Sequence, residues 1–301
     1  MIRRIGPIIL LLFALAIPAL ATEFTTLTGP YLGQTPPGST PRLFAPGIVS
    51  VSQNFEHSAA VFSPDGSELF WCTNVNRYAS APAEGQRLYT MRLIDGFWTE
   101  PERAAFTEHL DVPISRPIFS PDGDRLYVEY YSNPNVESHA DIYVSERVEG
   151  GWSIPKPVSP LINSSAIERL HCVTADGSMI FARNLMTSRE AVYISHYVDG
   201  EFTEPEELGD AFNSAAWEFS IVLPRDESYM LTAISRTGRE DELYISYREA
   251  DGSWTERMKT PYSTGGFLAL SPDDAYLFYL GDGIFWVDTS FVERLKPEHL
   301  K

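Results

Sequence analysis

The sequence predicts an all-β fold, a five-bladed β-propeller of four-stranded antiparallel blades. Three observations predict it. A turn signal recurs five times at steps near fifty residues, apolar and polar residues alternate on both sides of each turn, and a strand-like segment near the front supplies what the last unit lacks.

The turn signal reads Ser63-Pro64-Asp65-Gly66, Ser120-Pro121-Asp122-Gly123, Thr174-Ala175-Asp176-Gly177, Pro224-Arg225-Asp226 and Ser271-Pro272-Asp273-Asp274. From aspartate to aspartate the steps are 57, 54, 50 and 47. Periods of this size belong to stacked four-strand blades, because one small sheet cannot bury both of its faces without a neighbour on each side. An open sandwich permits the same alternation but gives no reason for every unit to carry its signals in the same order.

Each unit is read in order. A short apolar run precedes the turn, as in Ala59-Ala60-Val61-Phe62 or Pro117-Ile118-Phe119, and is the inner strand. The Asp-Gly pair supplies the positive φ of a tight hairpin. An alternating second strand follows, as in Leu69-Phe70-Trp71 or Leu126-Tyr127-Val128. The third strand repeats as Leu88-Tyr89-Thr90-Met91, Ile142-Tyr143-Val144-Ser145, Val192-Tyr193-Ile194-Ser195, Leu243-Tyr244-Ile245-Ser246 and Ile284-Phe285-Trp286-Val287. Four of these lead to a second glycine turn with an aromatic behind it (Trp98, Trp152, Phe202, Trp254), placed to wedge between blades. Proline-started segments at 101–106, 155–163 and 205–213 then read as edge strands, where a missing N–H is tolerated.

The last unit stops after three strands. Near the amino end, Pro41-Arg42-Leu43-Phe44-Ala45-Pro46-Gly47-Ile48 matches the outer segment at 155–162, so this N-terminal strand is predicted to join the last blade, close the ring and hide two sheet edges. Residues 41–301 are thus the propeller, with one helical turn near 291–295. Residues 22–40, with Pro30, Pro36 and Pro37, read as an extended arm.

Residues 1–21 read as an export signal. Arg3 and Arg4 precede an apolar stretch over 5–20 that ends in Ala19-Leu20-Ala21. Pro7 and Pro18 interrupt a stretch already short of the ~20 residues a span needs, so cleavage after Ala21 is expected, with no membrane span afterwards. The expected location is periplasmic or extracellular. Cys72 and Cys172 lie in non-adjacent units and read as buried thiols rather than a disulfide. Forty-one acids against 23 bases give a formal charge of −18, which repels phosphate backbones and argues against nucleic acid. With 44% hydrophobic residues in 301, the chain can bury a real core.

The runs Val61-Phe62-Ser63-Pro64-Asp65-Gly66 with Leu69-Phe70, and Ile118-Phe119-Ser120-Pro121-Asp122-Gly123 with Leu126-Tyr127, resemble the TolB-type WD-like β-propeller repeat of exported bacterial proteins. The third unit keeps Asp-Gly alone, the fourth keeps Pro and Asp without Gly, and the fifth has Asp274 where Gly stands elsewhere. The resemblance implies a binding platform at the cell surface or in the periplasm, with no shared catalytic residue to carry over; separately, a monomer is expected.

Inner strands line a propeller's channel, and the residues just ahead of them rim one mouth. That logic selects Glu56 and His57, the stretch 113–116 with Arg116, Glu168 and Arg169, Trp217 and Glu218, and the opening left by Gly265-Gly266. The expected function is recognition of a protein or carbohydrate partner at this mouth. In the plainer reading, Glu168 with Arg169 and Glu56 with Arg116 are ion pairs around a wet channel. The alternative is a glycoside hydrolase-like enzyme using Glu56, Glu168, Glu218 and Asp111, which needs two carboxyls roughly 5 to 9.5 Å apart. In a third reading the blade sides make the contact, as in an assembly protein. No cofactor, metal or catalytic residue is assigned. Gly-x-Ser-x-Gly, His-Glu-x-x-His, phosphate-loop and Cys-x-x-Cys patterns are missing, and His109, His139, His171, His196 and His299 are scattered.

Overall fold

A computed structural model describes residues 26–74, 86–108, 113–131, 140–184, 190–213, 217–235 and 241–301, with the side chains of 217–219 outside the description. The predicted export signal at 1–21 and Asp111 lie outside these residues. Strands account for 51% of the structure and helix for 7%, in a β-propeller-like arrangement.

Four sheets are built from consecutive strands, as the repeats predict. In the first, Phe55–Glu56 and Val61–Phe62 share one partner, Glu68–Asn74, which pairs with Gln86–Ile94, and Gln86–Ile94 in turn pairs with Glu102–Arg103. The second runs Ile114–Phe119, Arg125–Tyr131, Ala140–Val148 and Lys156–Pro157. The third runs Ile167–Val173, Met179–Asn184, Glu190–Ser195 and Glu206–Glu207. The fourth runs Trp217–Val222, Tyr229–Ser235, Asp241–Tyr247 and Met258–Thr264. The short outer strands Glu102–Arg103, Lys156–Pro157 and Glu206–Glu207 are exposed and charged, which keeps an open edge soluble.

A further sheet combines the two ends of the chain. Leu268–Leu270, Tyr276–Gly281 and Gly283–Asp288 follow in order, and Arg42–Leu43 pairs antiparallel with the last of them, Arg42 opposite Trp286 and Leu43 opposite Phe285. The N–H of Phe44 extends the ladder, donating to the carbonyl of Ile284 at 2.7 Å. The arm ahead of it lies along the sheets. Leu27–Thr28 pairs with Phe97–Trp98, and Leu32 is buried. Among the described residues one α-helix forms, Ser290–Leu295, with Phe291 and Val292 buried.

The recurring turns share one geometry, whatever residue fills their last position. Ser63, Thr174 and Ser271 donate from their hydroxyls to Asp65, Asp176 and Asp273 at 2.6 Å, and Ser120 does the same to Asp122. Gly66, Gly123 and Gly177 then take φ of 72°, 77° and 87°, while Glu227 and Asp274 hold 52° and 56° at the matching place. The aspartate network keeps the turn even where glycine is missing.

Core residues lie between sheets rather than within them. Phe70, Cys72 and Leu88 of the first sheet pack on Phe119, Leu126 and Val128 of the second. Tyr127 and Ile142 of the second meet Leu170 and Phe181 of the third, and Cys172 and Val192 of the third meet Ile221 and Met230 of the fourth. Leu231 and Ile245 of the fourth meet Leu277 and Val287 of the last sheet. Phe278 and Trp286 of that last sheet, with Phe44, pack on Phe62, Leu69 and Trp71 of the first. The post-turn aromatics wedge as predicted. Trp152 stands 6.3 Å from Phe70 and 5.7 Å from Phe119 between ring centroids, and its indole N–H donates to Glu68 of the first sheet at 3.3 Å.

Candidate functional site

The inner strands meet around a narrow axis. Ala59, Arg116, His171, Ser220 and Phe267, one from each of five chain segments, surround a constriction of about 20 Å³, room for roughly one water. On one side of it lie the heads of the inner strands, where the sequence-selected residues are. On the other lies a cavity of about 330 Å³ ringed by the Asp-Gly turns.

At the strand heads, Arg116 is 5% exposed and sits on a β-bulge, since the register slips between Tyr127 and Glu129 of its partner strand. Its φ of 48°, next to Pro117, is a strained conformation for a long side chain. The bulge turns the guanidinium inward. There Nε pairs with Oε1 of the fully buried Glu129 at 3.0 Å, and Cζ stands 4.4 Å from the centroid of the Phe267 ring. Ser115 and Tyr131 donate hydroxyls to the other Glu129 oxygen at 3.1 and 3.2 Å. Burial, then the Glu129 charge, pushes the Tyr131 phenol well above its usual range.

His57 completes this corner. Its ring lies 5.0 Å from Phe55 and 6.1 Å from Phe267, both edge-on. Burial, and then the Arg116 charge, lowers its pKa to about 4, so the imidazole is neutral at ordinary pH. Phe55 is 38% exposed and caps the stack toward solvent.

Glu56 and Glu168 do not converge on this corner. Glu56 precedes His57 on a strand, so its side chain takes the opposite face. It accepts from the N–H of Val51 at 3.1 Å and lines a crevice with Gly47, Ser50 and Asp282. Glu168 is fully buried and braces its own sheet, accepting from Arg183 Nε at 3.0 Å and from the hydroxyl of Ser164 at 2.6 Å. Arg169 turns the other way and pairs with Glu190 at 3.2 Å. The ion pairs expected between neighbours are therefore drawn differently. Among the described residues Arg116 takes Glu129 rather than Glu56, and Glu168 takes Arg183 rather than Arg169, because adjacent strand residues face apart while cross-strand residues face together. Trp217 and Glu218 open the inner strand of the fourth sheet, opposite Ser235 and Ile234. No cluster of three metal-ligating side chains occurs among the described residues.

Glu129 and Arg183 are the partners that strand-head reasoning missed. A signal for them exists. Each stands seven residues after its turn aspartate, at the place held by Cys72, Ala233 and Leu280 in the other units. A charge at an otherwise apolar repeat position marks a buried partner waiting for an opposite charge.

Sheets of this order, packed face to face around a narrow axis, define a β-propeller-like protein with a buried arginine–glutamate pair at one end of the axis. No protein family and no curated protein matches the chain. Among solved structures it is similar to a putative TolB from Agrobacterium tumefaciens, at 18% identity and a TM-score of 0.46 over 75% of this chain and 69% of that one. It is also similar to a periplasmic gluconolactonase from Pseudomonas aeruginosa, at 16% identity and a TM-score of 0.42 over 74% of this chain and 64% of that one. A third is prolyl oligopeptidase B from Galerina marginata, at 16% identity and 0.44, of which this chain spans 30% while 74% of its own length is covered.

Proposed function

We propose that the chain is an exported five-bladed β-propeller, its ring closed by Arg42–Leu43, that binds a protein or carbohydrate partner at the mouth where the inner strands begin. The cores shared between successive sheets, including the one that joins the last sheet to the first, support the ring. The basic amino terminus and the apolar stretch over 5–20 support export.

One observation carries the binding reading. Phe55, His57, Phe267 and Arg116 form a continuous stack from solvent to a buried ion pair. A half-exposed aromatic held rigid from beneath loses little freedom on binding, and aromatic and arginine side chains dominate interface energetics. In this reading Arg116 and His57 position Phe55. Arg169, Trp217 and Glu218 extend the rim on the other inner strands, and Glu56 and Glu168 hold its frame.

A photo-crosslinking residue at Phe55, compared with one at Ile154 on the outer edge, tests this in cells that export the protein, alongside a glycan array probed with the purified chain. Adducts or glycan binding that depend on Phe55 and fall at least tenfold in Arg116→Met are expected. Adducts confined to Ile154, with no glycan bound, would overturn it in favour of contact through the blade sides.

A further inference from the structure

The turn-side cavity lies beyond the constriction from the mouth discussed above, and it has features of its own. Aliphatic side chains line the depth of its walls, with Val61, Ile118, Val173, Val222 and Leu268 each contributed by a different inner strand, while the hydroxyl residues Ser120, Thr174 and Ser271 line it at the turns. At about 330 Å³ it falls at the small end of the range for ligand pockets.

Its floor carries a polar group with no partner. His171 lines both the cavity and the constriction, is 2% exposed, and neither of its ring nitrogens has a hydrogen-bond partner. Unpaired buried polar groups are rare and point to a missing ligand or water. The backbone aims the ring on purpose. Leu170 pairs with Phe181 and Cys172 with Ile180, so His171 is the extra residue of a β-bulge, a device that redirects side chains. Burial, then the charges of Arg116 and Arg169, keeps its imidazole neutral, so it offers one donor and one acceptor.

The entrance is guarded by one residue. At the second position of the turns stand Pro64, Pro121, Ala175 and Pro272, and in the fourth turn Arg225. Its guanidinium donates to the carbonyl of Pro64 at 3.0 Å, which carries the side chain from the fourth sheet to the first. Its own N–H donates to the Asp274 carboxylate at 3.1 Å. These two are the charged residues of the lining, and both sit at the entrance. An ionised ligand seated deeper would lose its water against charges that are already answered, since Arg116 and Arg169 behind the floor pair with Glu129 and Glu190.

The geometry points to a binding site for a small uncharged molecule with an apolar body and one hydroxyl or carbonyl group, which His171 recognises and Arg225 straps in. The body fills the aliphatic chamber, the polar group bonds to the imidazole, and the guanidinium must leave Pro64 to admit the molecule.

Three probes of one shape and different charge test it: 4-methylbenzyl alcohol, 4-methylbenzoate and protonated 4-methylbenzylamine, titrated into the purified chain by calorimetry with 15N-histidine NMR. The alcohol is expected to saturate in the millimolar range or tighter and to shift both ring-nitrogen signals of His171, while the two ions do not bind. His171→Phe weakens the alcohol by about fivefold or more, the loss of one hydrogen bond. Arg225→Ala, an exposed change that leaves the fold alone, speeds both association and release. If His171→Phe fails to fold, the wild-type NMR shift decides. No saturation by the alcohol, benzoate or the amine binding as well as the alcohol, or saturation without a His171 shift would overturn the proposal.

Discussion

Glu168 and Arg183 stand directly opposite each other on neighbouring strands of the third sheet, joined at 3.0 Å with the carboxylate entirely out of water. Arg183 also donates to the carbonyls of Leu161 and Ile162 at 3.1 and 2.7 Å, tying the loop before the inner strand to the sheet. Removing one partner of such a pair strands a buried charge. Arg183→Ala is therefore expected to lower unfolding free energy by about 3–5 kcal/mol, whereas Glu168→Leu with Arg183→Met, which removes both charges, loses no more than about half as much. Urea titration of the three proteins measures the difference. Equal losses in single and double variants would mean that the pair holds the loop by shape rather than by charge.

Acid should destabilise the protein in two stages. Between pH 6.5 and about 4 the unfolded chain binds a proton at His57 that the folded protein does not accept, so stability falls as pH falls through this window. His57 contributes at most about 3 kcal/mol of that loss, and the buried His171, also lowered, adds to it. Below the ordinary carboxylate range a second loss follows. Burial is the largest single influence on Asp65, Asp122 and Asp273 and opposes ionisation, but the hydroxyls of Ser63, Ser120 and Ser271 together with the backbone N–H groups of Ser67, Asp124 and Ala275 and neighbouring groups leave all three lowered; at Asp176 the Thr174 bond is the largest influence and lowers it. Those carboxylates stabilise the fold while ionised and cease to as they protonate. Melting temperature against pH should therefore fall first from 6.5 to 4, and His57→Gln should flatten part of that first stage while leaving the second.

The all-β, propeller-like arrangement was legible because its determinants are local and repeated. Ser120-Pro121-Asp122-Gly123 specifies a hydroxyl–carboxylate bond and a positive φ within four residues, and alternation around it specifies which faces are covered. The site was less legible. Choosing the strand heads found Arg116 and His57, which do meet around Phe267, but it grouped Glu56 with His57 and Glu168 with Arg169, neighbours that a strand sends to opposite faces. What aims Arg116 and His171 inward is a pair of bulges, and a one-residue slip leaves no mark in an apolar pattern. The pairing of Arg225 with Pro64 spans 161 residues and depends on where the sheets stand, which no local motif records.

Both thiols should be inert in the folded protein. Cys72 and Cys172 are free, buried and packed in different inter-sheet cores. Burial, reinforced by the charge of Glu227, pushes the Cys172 thiol up to about 12, and burial with Glu129 raises Cys72 as well. Thiolate is the reactive form, so a chromogenic disulfide reagent should register no thiol in native buffer and two in denaturant. Reductant should leave the melting temperature unchanged. Rapid native labelling would mean that these cores open locally.

Phe44 offers the sharpest test of the proposal that the front segment closes a ring. It follows the strand Arg42–Leu43, is fully buried, and touches three aromatics: Phe62 of the first sheet at 6.0 Å, and Phe278 and Trp286 of the last at 5.0 and 5.3 Å between ring centroids. If the front segment is the fourth strand of the last sheet, Phe44 is the side chain that plugs the junction between the first sheet and the last, and Phe44→Ala should cost about 3–5 kcal/mol, as a core phenylalanine does. Arg42→Pro gives an independent reading, since alternation along the antiparallel ladder makes Arg42 opposite Trp286 a hydrogen-bonded position, like Phe44 opposite Ile284, and proline cannot supply that N–H. Both variants should unfold at lower urea with an unchanged slope, because the whole ring depends on the junction. Should Phe44→Ala lose less than about 1 kcal/mol, the front segment is a loosely laid arm, and the sheet formed by Leu268–Leu270, Tyr276–Gly281 and Gly283–Asp288 keeps an open edge instead.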